Sequence, residues 1–256
     1  SVIVVVVANY LKIPVSITLL GTGSLMASTF SDLGSALIRV SALLTLWLLL
    51  IAVSASISYM VEKFRVDNAW KSFAAVPVLG LFYMNIVRRL SLDTNALWTA
   101  PLIVFPALLL VALYAVTRSE LAVSVGLASL AHGMNDGALL AAVTIMTSNE
   151  PLNPEAFLVL VGLSLSAGIV LWGYKVTRRM AYEIAVIDKD AAESSYTAMF
   201  ASITAFNMFG VPAPLTYAFL GSYLGVGLSR GARYVNRRVL ATVLGSSIGL
   251  TLRLIM

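Results

Sequence analysis

The sequence predicts an all-α polytopic membrane protein whose interrupted or re-entrant helices are arranged as an inverted repeat. Three observations predict it: scarce charge, uncharged runs of membrane-crossing length, and a proline-broken segment that recurs in an opposite charge setting. Of 256 residues, 59% are apolar and 11% charged, whereas a soluble domain carries about 25% charged residues. Mean hydropathy is +0.92. That balance excludes a water-soluble enzyme and a disordered tail. The net charge of +5 does not indicate a nucleic-acid partner, because the cations sit in short clusters between apolar runs. With no cysteine and a single histidine, there is no disulfide, thiolate nucleophile, zinc cluster or histidine metal site. No Walker A string and no nucleophile–base set stand out, so neither an enzyme nor a cofactor is expected. The expected location is the cell membrane, with lipid as solvent.

Residues 1–35 are expected to be a remnant of the first repeat, an interrupted helix pair around Pro14. Ser1 is followed at once by Val2-Ile3-Val4-Val5-Val6-Val7, with neither the basic start nor the cleavage site of a signal peptide. The chain therefore reads as opening inside a membrane segment. Residues 36–118 are expected to be helices linking the repeats. Residues 40–61 give 22 positions without charge, 72–87 give 16 and 94–117 give 24, against roughly 20 for one crossing.

Residues 119–256 are expected to be the second repeat. Positions 121–149 are apolar around a polar knot, Ala131-His132-Gly133-Met134-Asn135-Asp136-Gly137, where the two glycines permit an unwound turn. Residues 156–174 give another 19-residue run. Residues 194–229 are 36 uncharged positions, about 54 Å as one helix and too long for one crossing. Pro212 and Pro214 remove two backbone donors there, so two helices, or a helix and a re-entrant half-helix, meet at 210–214. The final run, 239–252, ends at Arg253, which snorkels toward an interface.

Lys175, Arg178, Arg179 and Lys189 precede the broken segment, and Arg230, Arg233, Arg237 and Arg238 follow it. Both clusters are expected in the cytoplasm, so the segment goes in and comes back. Residues 147–155 carry acids without cations and read as external. Arg88 and Arg89 fall outside by the same span count, against the rule.

A shift of 198 positions lays Asn9, Pro14, Thr18, Gly23 and Ser24 on Asn207, Pro212, Thr216, Gly221 and Ser222. The second copy ends in arginines, the first in Ser31-Asp32, which implies opposite orientation. Inverted repeats with interrupted helices are a secondary-transporter signature, with the substrate site where the interruptions meet. His132 precedes Pro212 by 80 residues, but only 13 precede Pro14. The matching part of the first copy is therefore expected upstream of Ser1, and the chain as it stands is expected to be inactive.

An acid among apolar runs is costly unless it is paired, protonated or bound to a cation. Asp136, with the carboxamide oxygen of Asn135 beside it, supplies hard-oxygen ligands for Na⁺ or a carrier for a proton; the bland alternative is a hydrated loop carboxylate. His132 is an accessory candidate that takes up a proton or donates to an anion; the alternative is a structural hydrogen bond. Asn9 and Asn207 are accessory candidates or helix-packing groups. Ser16, Thr18 and Thr216 follow prolines at expected helix starts, where hydroxyls and free N–H groups receive an oxyanion; the alternative is an ordinary N-cap. The arginines at 230–238 read as a topology anchor.

These residues resemble the inorganic phosphate transporter family, the Pit-type phosphate permeases. Each family repeat opens with a Gly-Ala-Asn-Asp-x-x-Asn type motif and later carries Pro-Val-Ser-x-Thr. Here the second opening reads from Ala131 to Gly137, and Pro14-Val15-Ser16-Ile17-Thr18 matches the first closing motif. The stretch from Gly210 through Gly225-Val226-Gly227 to Val235-Asn236-Arg237-Arg238 resembles the second ending, so the likeness covers nearly the whole chain. The resemblance implies symport of inorganic phosphate with Na⁺ or H⁺, the cation near Asn135 and Asp136 and phosphate near Ser16, Thr18 and Thr216. Another oxyanion such as sulfate, a channel and a non-transporting structural subunit are the alternatives, and a homodimer is compatible with it. Leu139 replaces a motif Asn, Pro214 the motif Ser, and Leu19 and Tyr217 the polar residue that often follows the Thr.

Because the chain has no native cysteine, single-cysteine labelling tests the topology cleanly. A cysteine replacing Arg233 is expected to react only from the cytoplasmic side; labelling by an impermeant reagent from outside contradicts the charge assignment.

Overall fold

A computed structural model of the chain describes residue 18, residues 33–64, 108–147 and 187–242, and positions 160, 163, 167, 244, 245 and 249. Regular structure among the described residues is helical, without strands. Helix α1 spans Leu33–Phe64, α2 Leu108–Thr117, α3 Glu120–Thr147, α4 Lys189–Met208 and α5 Leu215–Arg230. A short 3₁₀ turn at Ala232–Tyr234 follows.

The uncharged run at 40–61 lies within α1. Its Ser41–Phe64 stretch of 24 residues is, among the described residues, the one helix long and apolar enough to cross a membrane. Helix α2 is the end of the run at 94–117. The runs at 72–87 and 156–174, most of 239–252, the loop cations at 88, 89, 175, 178 and 179, and most of the acidic loop at 147–155 lie outside the described residues.

One expectation is corrected. The polar knot at 131–137 does not unwind: α3 runs unbroken from Glu120 to Thr147. Glycine lowers helix propensity by only about 1 kcal/mol, and the buried polar side chains of the knot find partners beyond their own helix. An opened backbone is not needed to satisfy them.

The segment at 194–229 does break, and its chemistry is local. Gly210 adopts φ 73°, a left-handed conformation that glycine takes without Cβ strain. The Val211 N–H reaches back to the Phe206 carbonyl at 3.0 Å and the Gly210 N–H to Asn207 at 2.9 Å, the paired bonds of a Schellman ending. Four residues later Pro214, at φ −64°, stands at the N-cap of α5, where its missing N–H costs nothing to the helix.

Helices α4 and α5 form a hairpin with the break at its tip. At its base the Arg230 guanidinium donates to both Asp188 carboxylate oxygens, at 2.6 and 2.9 Å, and twice to Glu62 Oε1, at 2.8 and 2.6 Å. Asp188 Oδ1 also accepts the Ala191 N–H, capping α4. The start of α4 and the end of α5 therefore share one end of the molecule, as the paired charge clusters lead one to expect. Hydrogen bonding to Arg230 holds the Asp188 carboxyl below its ordinary range. Its contribution to stability is present above the unfolded value, about pH 4, and is lost as pH falls through the depressed one.

Helix α1 lies parallel to α5. Ser54 Oγ donates to the Ala218 carbonyl and Ser58 Oγ to that of Ser222, at 2.9 and 2.7 Å, while Ser54 also pairs with Ser202 of α4 at 2.7 Å. Gly221 and Gly225 face the α1 backbone so closely that a Cβ on either would overlap the carbonyl oxygen of Ile51 or Ala55. Helices meeting in lipid gain no hydrophobic driving force, so close approach and such hydrogen bonds hold them together. Helix α3 packs along α4, and Trp47, Leu50, Leu127, Phe200, Ile203 and Leu220 belong to the core between the helices.

Gly225→Leu is expected to force α1 and α5 apart, at a cost at the upper end of the about 1–3 kcal/mol typical of overpacking. Gly133→Ala, in a helix with nothing within 4 Å of the added Cβ, is expected to be neutral or to stabilise by up to about 1 kcal/mol. Unfolding in mild detergent measures both.

Candidate functional site

The extended tip at 211–214 carries few donors, because two of its four residues are proline, and other helices satisfy most of its polar groups. Trp47 Nε1 of α1 donates to the Pro212 carbonyl at 2.9 Å. The Asn135 carboxamide of α3 grips Ala213 from both sides: Oδ1 accepts the Ala213 N–H at 3.0 Å and Nδ2 donates to its carbonyl at 3.0 Å. The Pro214 carbonyl accepts from Tyr217 and Ala218 as the first turn of α5 closes. One asparagine thus stands in for a pairing strand.

The same asparagine touches the carboxylate. Asp136 is 2% exposed, and its Oδ1 accepts from Thr18 Oγ1 at 2.7 Å and from Asn135 Nδ2 at 2.9 Å. Asn135 Nδ2 also lies 3.1 Å from Thr18 Oγ1. Two amide hydrogens face three acceptors, so one of these bonds is shared. Asp136 Oδ2 lies 3.5 Å from His132 Nε2, one turn earlier on α3. The two carboxylate oxygens therefore differ: Oδ1 is held by two donors, and Oδ2 faces an imidazole beyond good hydrogen-bond length.

Thr18, Asn135 and Asp136 are thus brought together across more than a hundred residues of sequence, against the tip of the hairpin. His132 adjoins them, with its Nδ1 buried and without a partner. Thr216 is buried in the first turn of α5 but makes no hydrogen bond to Asn135 or Asp136. Asn207 sits at the end of α4, and its buried Nδ2 is also unpartnered. Ser16 and Asn9 lie outside the described residues. The Asn135 oxygen, expected beside the carboxylate as a cation ligand, is turned to the Ala213 N–H in this structure. Among the described residues, no three His, Cys, Asp or Glu side chains cluster as a metal site.

Sequence reasoning missed Trp47 and Glu62. A tryptophan inside an apolar helix has an N–H that needs an acceptor, and Glu62 ends an apolar run where a distant arginine can pair with it. Those signals were present, but their partners were not identifiable. Within the arginine cluster at 230–238, Arg230 ties the helix ends together through Asp188 and Glu62.

A chain this apolar, all-helical where described, with a buried carboxylate held at a helix break, defines a helical membrane protein with an internal polar site. The phosphate transporter family matches residues 1–252, and the chain belongs to that family. A protein of Thermococcus kodakarensis named as a phosphate permease is 25% identical over 224 residues, 75% of this chain and 54% of its own length. The inorganic phosphate transporter 2-1, chloroplastic, of Arabidopsis thaliana is 31% identical over 136 residues, 46% of this chain and 22% of that protein. The chain thus spans about half the length of the Thermococcus relative or less of the others. No solved structure matches it. The family is one of transporters and not of enzymes, in agreement with the sequence, and it implies a membrane location.

Asn135→Ala strips the Ala213 N–H and carbonyl of their partners. Each orphaned group costs about 1–3 kcal/mol, so a loss of about 2 kcal/mol or more is expected. Trp47→Phe orphans the Pro212 carbonyl alone and is expected to cost less; unfolding of the two variants in detergent ranks them.

Proposed function

We propose that the protein is an ion-coupled secondary transporter of inorganic phosphate, a symporter drawing on a Na⁺ or H⁺ gradient across the cell membrane and working by alternating access. The observation that carries this reading is the buried Asp136 carboxylate, held by Thr18 and Asn135 against a helix break, in a chain of the phosphate transporter family. A carboxylate in lipid surroundings is stabilised by a bound cation or a proton. That same positive charge lowers the cost of bringing a phosphate dianion into a low dielectric, which is a physical reason for coupling the two.

The residues divide by chemistry. Asp136 supplies the negative charge for the coupling cation, and Oδ2, free of strong donors, is the oxygen that receives it. Asn135 fixes the carboxylate and the hairpin tip relative to each other, so cation binding is felt at the break. Thr216 and Ser16 supply hydroxyls to phosphate. Thr18, the position equivalent to Thr216 in the first repeat, gives its hydroxyl hydrogen to Asp136 and so links the phosphate side of the site to the carboxylate. The first turn of α5 supplies unpaired N–H groups and its dipole. The inverted repeat, with its first copy contributing Thr18, accounts for a site built from both ends of the chain.

Uptake of phosphate into vesicles by the full-length protein, measured against Na⁺ and pH and normalised to folded material, tests this. Asp136→Asn keeps shape and deletes charge; uptake is expected to fall steeply and to lose its dependence on the coupling ion. Thr216→Val is expected to weaken phosphate affinity by about 1–3 kcal/mol. An unchanged ion response in the first variant removes the coupling role of Asp136, and unchanged affinity in the second removes Thr216 from the site.

A further inference from the structure

Tyr217 has a hydroxyl without an acceptor. It is 1% exposed, and its oxygen is buried with no hydrogen-bond partner. A buried phenol normally finds one, and each exception requires an explanation. The other buried tyrosine of α5, Tyr223, packs against Phe219 and is not among the buried groups left without a partner. The unpaired hydroxyl is therefore a property of the position near the break and not of the helix.

The position is informative. Tyr217 is the third residue of α5, one helical turn after Pro214, and residues three apart share a helix face. Its ring centroid lies 6.2 Å from that of Trp47, whose indole N–H holds the Pro212 carbonyl. The ring is therefore braced against the side chain that fixes the tip. Pro214 stands where the resembling motif has Ser, so that hydroxyl is absent from the N-cap of this helix, while Tyr217 puts one on the same face a turn later. On the other arm of the hairpin, Asn207 Nδ2 is likewise buried and unpartnered. Asn207 Nδ2 only donates, and the phenol can donate as well as accept, so both can serve a ligand that only accepts, such as an oxyanion.

We infer that Tyr217 is a further substrate-binding residue, its hydroxyl donating to an oxygen of the transported oxyanion and replacing the serine hydroxyl absent at Pro214. The inference rests on the phosphate-transport reading and deepens it. In the first repeat the equivalent position is Leu19, so the donor comes from one repeat only. The two halves of the site then grip the anion differently.

Tyr217→Phe in the full-length protein, reconstituted in vesicles, separates the alternatives. It keeps the ring against Trp47 and deletes one hydroxyl. Losing a hydrogen bond to an anion is expected to raise KM for phosphate about ten- to a hundredfold, with unchanged unfolding temperature in the absence of phosphate. Tyr217→His, which restores a donor, is expected to recover part of the affinity. Tyr223→Phe is the control, expected to lower stability and leave KM unchanged. The rise of the wild-type unfolding temperature with added phosphate gives a second readout independent of transport, and this rise is expected to shrink in Tyr217→Phe. An unchanged KM and an unchanged phosphate-induced rise in Tyr217→Phe, alongside saturable wild-type uptake, remove Tyr217 from the site and leave the transport reading intact. If the wild type takes up no phosphate, the transport reading fails, and this inference fails with it.

Discussion

The site depends on one side chain that cannot be spared, the Asn135 carboxamide. A helix break in a low-dielectric interior exposes backbone groups that water would otherwise satisfy, and each unsatisfied group is costly. Asn135 answers for two of them at Ala213 and at the same time donates to Asp136 and lies against Thr18. The carboxylate and the broken backbone are therefore held by the same planar group. Neither can shift far without disturbing the other.

The hairpin that carries the break is secured at both ends by α1. At the tip, Trp47 takes the Pro212 carbonyl; at the base, Glu62 shares Arg230 with Asp188. Between these points Gly221 and Gly225 let the helix backbones touch at Ile51 and Ala55, and Ser54 and Ser58 bridge to α5 carbonyls. Polar groups sit where they bridge helices, and bulk is absent where backbones meet. This division suits a medium in which apolar surface alone does not drive association.

Much of the local structure was legible in the sequence. Proline chemistry and run length located the break at 210–214, and the left-handed Gly210 and the capping Pro214 conform to the same local rules. The knot at 131–137 was correctly singled out for its buried acid but wrongly expected to unwind. Its glycines are tolerated in a helix, and the need that would have opened the backbone was met by the Ala213 backbone and the Thr18 hydroxyl, 78 and 118 residues away. Trp47 and Glu62 escaped because a single donor or acid carries no record of which distant group it will meet.

The sequence by itself determined what depends on near neighbours and on solvent: the helical class, the membrane-length run in α1, the break in the last hairpin, and a buried acid as the centre of interest. These follow from composition, from proline's missing N–H and from the cost of charge in lipid. Only the tertiary structure decided that Asn135 turns its oxygen to Ala213, that Thr18 reaches Asp136, and that Tyr217 is left with an unanswered hydroxyl. Hydrogen-bond partners are assigned by three-dimensional proximity, and a linear sequence does not encode which of several buried donors runs out of acceptors.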